Sequence, residues 1–188
     1  MKARDEADRK TVADIRAGDT EAFGEIVDRY QPILYQLAYK ILLNRDDALD
    51  AVQDAFVLAY RALDQFDIKR SFYLWLYRIA YNAAIKTYNR RNQGQEMVYL
   101  DSLENPDDLL ADCEKPAREL LNAEFEEKLK AAIEKLQPDY RAVFVLRVQE
   151  EMSYKDIASV LSIPEGTVMS RLARAREKLQ FFLRELMI

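Results

Sequence analysis

The chain has 188 residues, 49% apolar and 32% charged, with only 4 Gly and 5 Pro and a net charge of −5. Such a length holds one ordinary domain or two small ones, and the scarcity of turn residues, with no window of Val/Ile/Thr alternation, excludes a strand-rich fold and predicts an all-α protein. The absence of His removes the commonest general base and the commonest metal ligand, and one cysteine, Cys113, makes neither an internal disulfide nor a thiolate cluster.

A lone cysteine suits a reducing compartment. No apolar run approaches the roughly 18 residues that cross a bilayer, and no signal-peptide pattern opens the chain. The expectation is a cytoplasmic protein with no direct membrane insertion, no metal and no cofactor. Its charge is divided unevenly. Residues 69–92 hold six basic groups (Lys69, Arg70, Arg78, Lys86, Arg90, Arg91) and no acid; residues 165–188 hold five basic and three acidic groups. Residues 93–118 carry seven acids against two bases. Two basic segments in an acidic chain do not fit a protein that coats DNA by total phosphate neutralisation.

In chain order, a charged start leads into a short helix over Thr11–Ala17 that ends at Gly18. Asp19 is placed to N-cap a long helix from about Thr20 to Leu43, apolar at Phe23, Ile26, Val27, Tyr30, Leu37 and Ile41. Pro32 falls inside this pattern and is expected to kink or break it. The next helix, about Asp47 to Leu63, turns Leu49, Val52, Phe56, Ala59 and Leu63 inward and Asp47, Asp50, Gln53, Asp54 and Arg61 outward. Residues Asp64–Arg70 connect it to a helix capped by Ser71 and reaching about Arg91. Phe72, Tyr73, Trp75, Tyr77, Tyr81 and Tyr88 set rings around most of its circumference. From Asn92 to about Arg118, Gly94, Pro106, Pro116 and the acidic residues dissolve the pattern into a flexible linker. Helices follow over about Glu119–Leu136, Pro138–Gln149, Tyr154–Leu161 and Glu165–Leu186, with Pro138 at a tolerated first position. Ser153 and Asp156 resemble a capping box, with Asp shorter than the preferred Glu. The predicted division is a domain over residues 11–92, a linker over 93–118 and a second domain over 119–188.

Two helices joined by the turn Ser162-Ile163-Pro164 make a helix-turn-helix. The second buries Val168, Leu172, Ala175 and Leu179 and leaves Thr167, Ser170, Arg171, Arg174 and Lys178 outward, where the first turns of a groove-bound helix reach base edges. The competing account is a helical hairpin with a solvated basic face. For the Ser71–Arg91 helix, aromatic faces that stack on unpaired bases compete with rings that simply fill or border a core. Six cations without an acid over residues 69–92 favour single-strand binding for this stretch as a whole. The acidic face around Asp50 and Asp54 reads by itself as an ordinary solvated face.

Four blocks in order then resemble one family. Residues 46–56 (DDALDAVQDAF) with 59–66 (AYRALDQF) resemble the region 2.1–2.2 signature of extracytoplasmic-function (ECF) sigma factors, and 72–82 (FYLWLYRIAYN) their region 2.3 running into 2.4. Residues 136–138 (LQP) with 140–144 (YRAVF) are similar to the start of region 4. Residues 153–158 (SYKDIA), 163–168 (IPEGTV) and 170–176 (SRLARAR) are similar to region 4.2.

The resemblance implies an RNA polymerase specificity subunit, not an enzyme and without catalytic residues: a region 2 bundle and a region 4 helix-turn-helix. It implies docking of Asp47, Asp50, Gln53, Asp54 and Arg61 on core RNA polymerase, at the β′ clamp helices, with further contact to the β subunit. It implies that Phe66, Lys69, Arg70, Phe72, Trp75, Arg78, Asn82, Lys86 and Arg90 handle the −10 element as single-stranded DNA, the Asp64–Phe72 connection holding a flipped base. Thr167, Ser170, Arg171, Arg174 and Lys178 are implied to read the −35 element as duplex, and an anti-sigma factor to sequester the whole. The chain departs from the pattern at Met169, where a base is common, at Ala173, where a bulky residue is frequent, and at Lys86, where many members have Asp.

Magnitudes point to a partner. Opening ten base-pair steps costs about 14 kcal/mol, whereas a captured base returns on the order of 1–3 kcal/mol. A relaxed 26-residue coil spans roughly 28 Å, against about 53 Å between domain surfaces on elements about 75 Å apart. The linker is therefore expected to be stretched along the polymerase in the active complex and collapsed in the free protein. The rival accounts are a dimeric repressor or activator, which leaves the aromatic helix without a purpose, and an RNA-binding adaptor.

Overall fold

A computed structural model describes residues 2–92 and 119–186, which form helices and turns with no strand among the described residues. In order these are α1 (Lys2–Arg16), α2 (Phe23–Leu42), α3 (Arg45–Ala62) with a 3₁₀ turn over Leu63–Gln65, and α4 (Phe72–Arg91). After the predicted linker, which lies outside the described residues, come α5 (Glu119–Glu134), α6 (Pro138–Val148), α7 (Tyr154–Leu161) and α8 (Glu165–Leu186). The all-α class and two helical modules are as the periodicity indicates.

In the first module α2, α3 and α4 pack on one another, with α1 across α2 and α4. Ala48, Ala51, Ala55 and Ala59, spaced three or four apart, form the inward face of α3 and let its neighbours approach closely. This face differs from the expected one: Leu49 is 43% exposed. The small residues set the packed face, and Leu49 lies on the rim, lining a groove with Val27, Tyr35 and Phe56. Asn44 caps α3 by accepting the Asp47 N–H at 3.0 Å.

The N-terminal helix begins at Lys2, well before the expected Thr11. Asp8 is fully buried and accepts from Arg29 Nη1 and from the Tyr30 hydroxyl, both at 2.5 Å, a long-range pairing that local periodicity does not contain. Pro32 does not interrupt α2. Asp28 and Pro32 both lie on its exposed side, so the carbonyl deprived of its donor meets solvent instead of the core. The Asp19 side chain accepts from the Ala22 N–H at 3.2 Å, just ahead of the helix start at Phe23. Ser71 is the residue before α4, but its hydroxyl makes no cap bond and donates to Asp5 Oδ1 at 3.1 Å.

In the second module Ala132, Leu136, Ala175 and Leu179 join α5 to α8, flanked by Tyr140 and Phe144. Val168, Leu172, Ala175 and Leu179 are buried as their spacing predicts. The Ser153 hydroxyl accepts the Asp156 N–H at 3.1 Å and donates to the Asp156 carboxylate at 2.7 Å, so the shorter Asp bonds the hydroxyl in place of the reciprocal backbone bond.

The modules are not two separate bodies on a tether. One apolar core runs from Ile26 and Leu37 through Leu76 to Val145, Ile157 and Val160. α4 packs on α7, and α2 on α6. Arg141, 4% exposed, sits at this junction. It donates to the carbonyls of Ile133, Glu134 and Leu136 at the end of α5 (3.1, 2.7 and 2.6 Å), and to those of Ile41 and Lys40 at the end of α2 (2.8 and 3.4 Å). A cation beside two helix C-termini also opposes their dipoles' negative ends. Burial lowers the Arg141 pKa from its usual value, against the opposing influence of Tyr88 and Glu134. Replacement of Arg141 by Ala is expected to remove about 3 kcal/mol of stability by leaving buried carbonyls without donors. Urea unfolding checks this; a midpoint within error of the parent contradicts it.

Candidate nucleic-acid interface

α4 has α2 and α3 on two sides and α7 on a third, which explains a helix apolar around most of its girth. Phe72 is 1% exposed, Tyr77 fully buried and Tyr81 nearly so. The expectation of an aromatic platform for single-stranded bases is therefore corrected: most rings are core or inter-module contacts. Phe66, 4% exposed, and Phe72 pack with the half-buried Trp75 at centroid separations of 4.9–5.4 Å. These three support the surface above them, and of the three only Trp75 lies partly at it.

The cations of this region divide in two. Lys69, Arg70, Lys86 and Arg90 are exposed, and the uncharged Asn82, also exposed, stands in line with Lys86 and Arg90 at intervals of four along α4. Arg70 lies 3.7 Å from the Asp67 carboxylate, both well exposed, a weak pairing. Arg78 is engaged by the other module: its Nε donates to Ser162 Oγ at 2.7 Å, and its Nη2 bonds the same oxygen. Ser162 ends α7 in the left-handed conformation (φ 59°). Beside it the Tyr77 hydroxyl donates to Glu150 Oε2 at 3.0 Å.

On α3, Asp50, Gln53, Asp54 and Arg61 are exposed as expected. Asp47 is partly covered by an ion pair with Arg91 at 3.1 Å. Val57 and Leu58, each 48% exposed, lie on the same side of the helix. Neither is among the residues expected to dock, although apolar residues one turn past Asp54 and outside the inward stripe were the available sign. Apolar side chains amid acids mark a contact surface better than acids alone.

On α8 four of the five residues expected to read duplex DNA are not the most exposed, and Lys178 alone of the five is exposed. Thr167, Ser170, Arg171 and Arg174 are half-buried, while Gly166, Met169, Ala173 and Arg176 stand clear, Met169 at 55%. The start of α6 holds part of the expected strip: Arg171 pairs with Asp139 at 3.0 Å, and Lys178 lies 5.8 Å from the centre of the Tyr140 ring. Ser170 donates to the Thr167 carbonyl at 3.1 Å. The helix-turn-helix is formed as predicted, with its outward face rotated toward Met169 and Ala173.

A two-module helical protein with a formed helix-turn-helix and a cation-bearing central helix belongs to the class of transcriptional DNA-binding proteins. Comparison identifies it further. Sigma-70 region 2 matches residues 26–94 and sigma-70 region 4 matches residues 126–179. Over 182 residues the chain is 37% identical to the ECF RNA polymerase sigma factor SigW of Bacillus subtilis, covering 95% of this chain and 97% of SigW. Over 186 residues it is 37% identical to the RNA polymerase sigma-H factor of Pseudomonas aeruginosa, covering 97% and 96%. A solved structure of CnrH in complex with the cytosolic domain of CnrY superposes with a TM-score of 0.67 at 31% identity, covering 95% of this chain and 98% of CnrH. The chain belongs to the sigma-70 family. Within it, the chain is an RNA polymerase sigma factor of the ECF type.

Burial, before any neighbouring group, raises the Tyr77 pKa well above the ordinary phenol range, with Tyr73 and Glu150 acting in the same direction. A phenol held protonated in the folded state stabilises it fully below its unfolded pKa of about 10, and that contribution falls as the pH rises above this value. Ultraviolet titration is expected to leave Tyr77 un-ionised until unfolding, with stability declining above about pH 10. In Tyr77→Phe that part of the decline should be absent.

Proposed function

We propose that this sigma factor acts as a promoter-specificity subunit with no catalytic activity of its own, working in the cytoplasm. Its first module, proposed over residues 11–92 with α1 added, docks on core RNA polymerase through the exposed face of α3. Asp50, Gln53, Asp54 and Arg61 supply the polar contacts to the β′ clamp helices, Val57 and Leu58 the apolar ones, and Asp47 is shared with Arg91. The second module, residues 119–188, also meets the β subunit. Support comes from an acidic face carrying two half-exposed aliphatic residues, which a freely solvated face does not need.

The −10 element is handled as single-stranded DNA by the loop between α3 and α4 and by the exposed line of Asn82, Lys86 and Arg90. Lys69 and Arg70 flank the loop and Trp75 borders it; Phe66 and Phe72 act from beneath, as its floor. The −35 element is read as duplex by α8, through Ser170, Arg174 and Thr167 with the outward Met169 and Ala173 between them. Arg171 and Lys178 first have to leave Asp139 and Tyr140. An apolar residue at Met169 favours contact with a thymine methyl over hydrogen bonding to guanine.

The single observation that carries the mechanism is the packing of α4 on α7. Arg78 and Ser162, one from each DNA-handling module, occupy one another, so the modules part before both elements are bound. Core polymerase drives the separation, because promoter opening already exceeds what this chain returns by capturing bases. An anti-sigma factor that covers the same surfaces would hold the closed arrangement; the likeness to CnrH, solved with the cytosolic domain of CnrY, favours such a partner.

Initiation by core polymerase plus this protein on a genomic promoter library tests the assignment, with promoter-specific transcripts expected. Their absence from folded protein with active core overturns it. Within that assay Arg174→Ala is expected to weaken −35 discrimination by ~1–3 kcal/mol per lost base contact, with core binding unchanged. Asp54→Lys is expected to do the reverse, lowering core affinity and sparing duplex binding. Loss of both functions in either variant contradicts the division between modules.

A further inference from the structure

The N-terminal helix lies outside the sigma-70 region 2 match, which begins at residue 26, and the site described above gives it no role. It is nevertheless firmly attached. Val12 and Ile15 enter the core, Asp8 pairs with Arg29 and Tyr30, and Thr11 Oγ1 donates to Glu25 Oε2 at 3.2 Å. These contacts fix α1 against α2 and leave both of its ends over the α3–α4 loop.

At one end, Arg16 Nη2 donates to three carbonyls, those of Leu63, Asp64 and Phe66, at 2.7, 3.2 and 2.5 Å. They belong to the stretch where α3 gives way to the loop, and the guanidinium adds to the bond that Leu63 already accepts from the Phe66 N–H. Toward the other end, Asp5 Oδ1 accepts the Ser71 hydroxyl, the last loop residue before α4. Between these holds, Asp67 accepts the Lys69 N–H at 3.0 Å through its side chain and the Arg70 N–H at 2.9 Å through its carbonyl. The loop is thus pinned at entry and exit by one helix and folded on itself between, with Gln65, Lys69 and Arg70 directed to solvent.

We propose that α1 is a positioning element for −10 recognition, in which Arg16, assisted by Asp5, fixes the loop that selects the unpaired base. The inference rests on the proposed role of that loop. Neither residue touches DNA in this account. A pre-shaped loop discriminates among bases, because each wrong base meets a surface that does not reshape around it; a loosened loop accepts all four more evenly. Arg16 suits the task, since one end of its guanidinium, Nη2, lies within hydrogen-bond distance of all three carbonyls while its charge is delocalised and weakly hydrated, unlike that of a Lys ammonium.

The test uses holoenzyme assembled from the full chain and core polymerase. It takes non-template −10 oligonucleotides from a promoter that the parent transcribes, with each of the four bases placed in turn at every position. Affinity is measured by fluorescence anisotropy for the parent, Arg16→Ala, Arg16→Lys and Asp5→Ala. Arg16→Ala is expected to reduce the preference at one position by roughly tenfold or more, with core affinity and −35 duplex binding unchanged. Arg16→Lys should restore part of it, and Asp5→Ala should shift it in the same direction by less. Parent-like preference in Arg16→Ala overturns the proposal, as does an equal loss for all four bases that tracks core affinity. Should Arg16→Ala fold poorly, Asp5→Ala decides from the loop's other end, and parent-like preference there overturns the proposal. Absence of any base preference in the parent overturns the reading of the loop itself.

Discussion

α4 is enclosed by α2 and α3 from its own module and by α7 from the other, and the rest of the molecule is arranged around that enclosure. A helix covered on three sides has to be apolar on three sides, which is why Phe72, Leu76, Tyr77, Ala80, Tyr81 and Ala84 are buried along it. Its remaining open line is narrow, and on that line stand Asn82, Lys86 and Arg90. The same enclosure sets the relation between modules. The α7 surface that covers α4 belongs to the helix-turn-helix, so burying the central helix brings Arg78 against Ser162. Burial of the central helix and contact between the modules are here two consequences of one packing arrangement.

That contact combines parts of different energetic character. The shared apolar core supplies non-directional attraction. Arg141 adds direction, because its fork matches carbonyls from α5 on one side and α2 on the other. Three of the Arg141 acceptors, the carbonyls of Ile133, Glu134 and Leu136, lie within the second module, and two, those of Ile41 and Lys40, lie on α2. The second module therefore holds part of this bracing within itself.

The loop between α3 and α4 follows a different principle. It has little core of its own, with Phe66 buried and Ile68 half-buried, and its ends are held by hydrogen bonds that begin elsewhere in the chain. Arg16 and Asp5 are separated from their loop partners by roughly fifty residues or more. A loop held in this way presents its outward side chains from a settled backbone, at little ordering cost when a ligand arrives.

Much was legible in the residues themselves. Scarcity of Gly and Pro fixed the helical class, the spacing of Val168, Leu172, Ala175 and Leu179 located the buried face of α8, and four blocks in order carried the family. These are local properties, repeated every three or four residues, and a helix reports them whatever lies beside it. The orientation of surfaces was not local. Whether Tyr77 stacks on a base or fills an interface depended on α7 arriving from the other module. Whether Arg171 faces solvent depended on Asp139, and whether Leu49 is core depended on which neighbours the α3 alanines admitted. Pro32 and the first residues of α1 teach the same lesson, since solvent exposure of one and the distant partners Arg29 and Tyr30 of the other decided them. Periodicity determines that a face is buried; only tertiary packing decides what buries it, because burial of one face against another is a property of two segments and is written in neither alone.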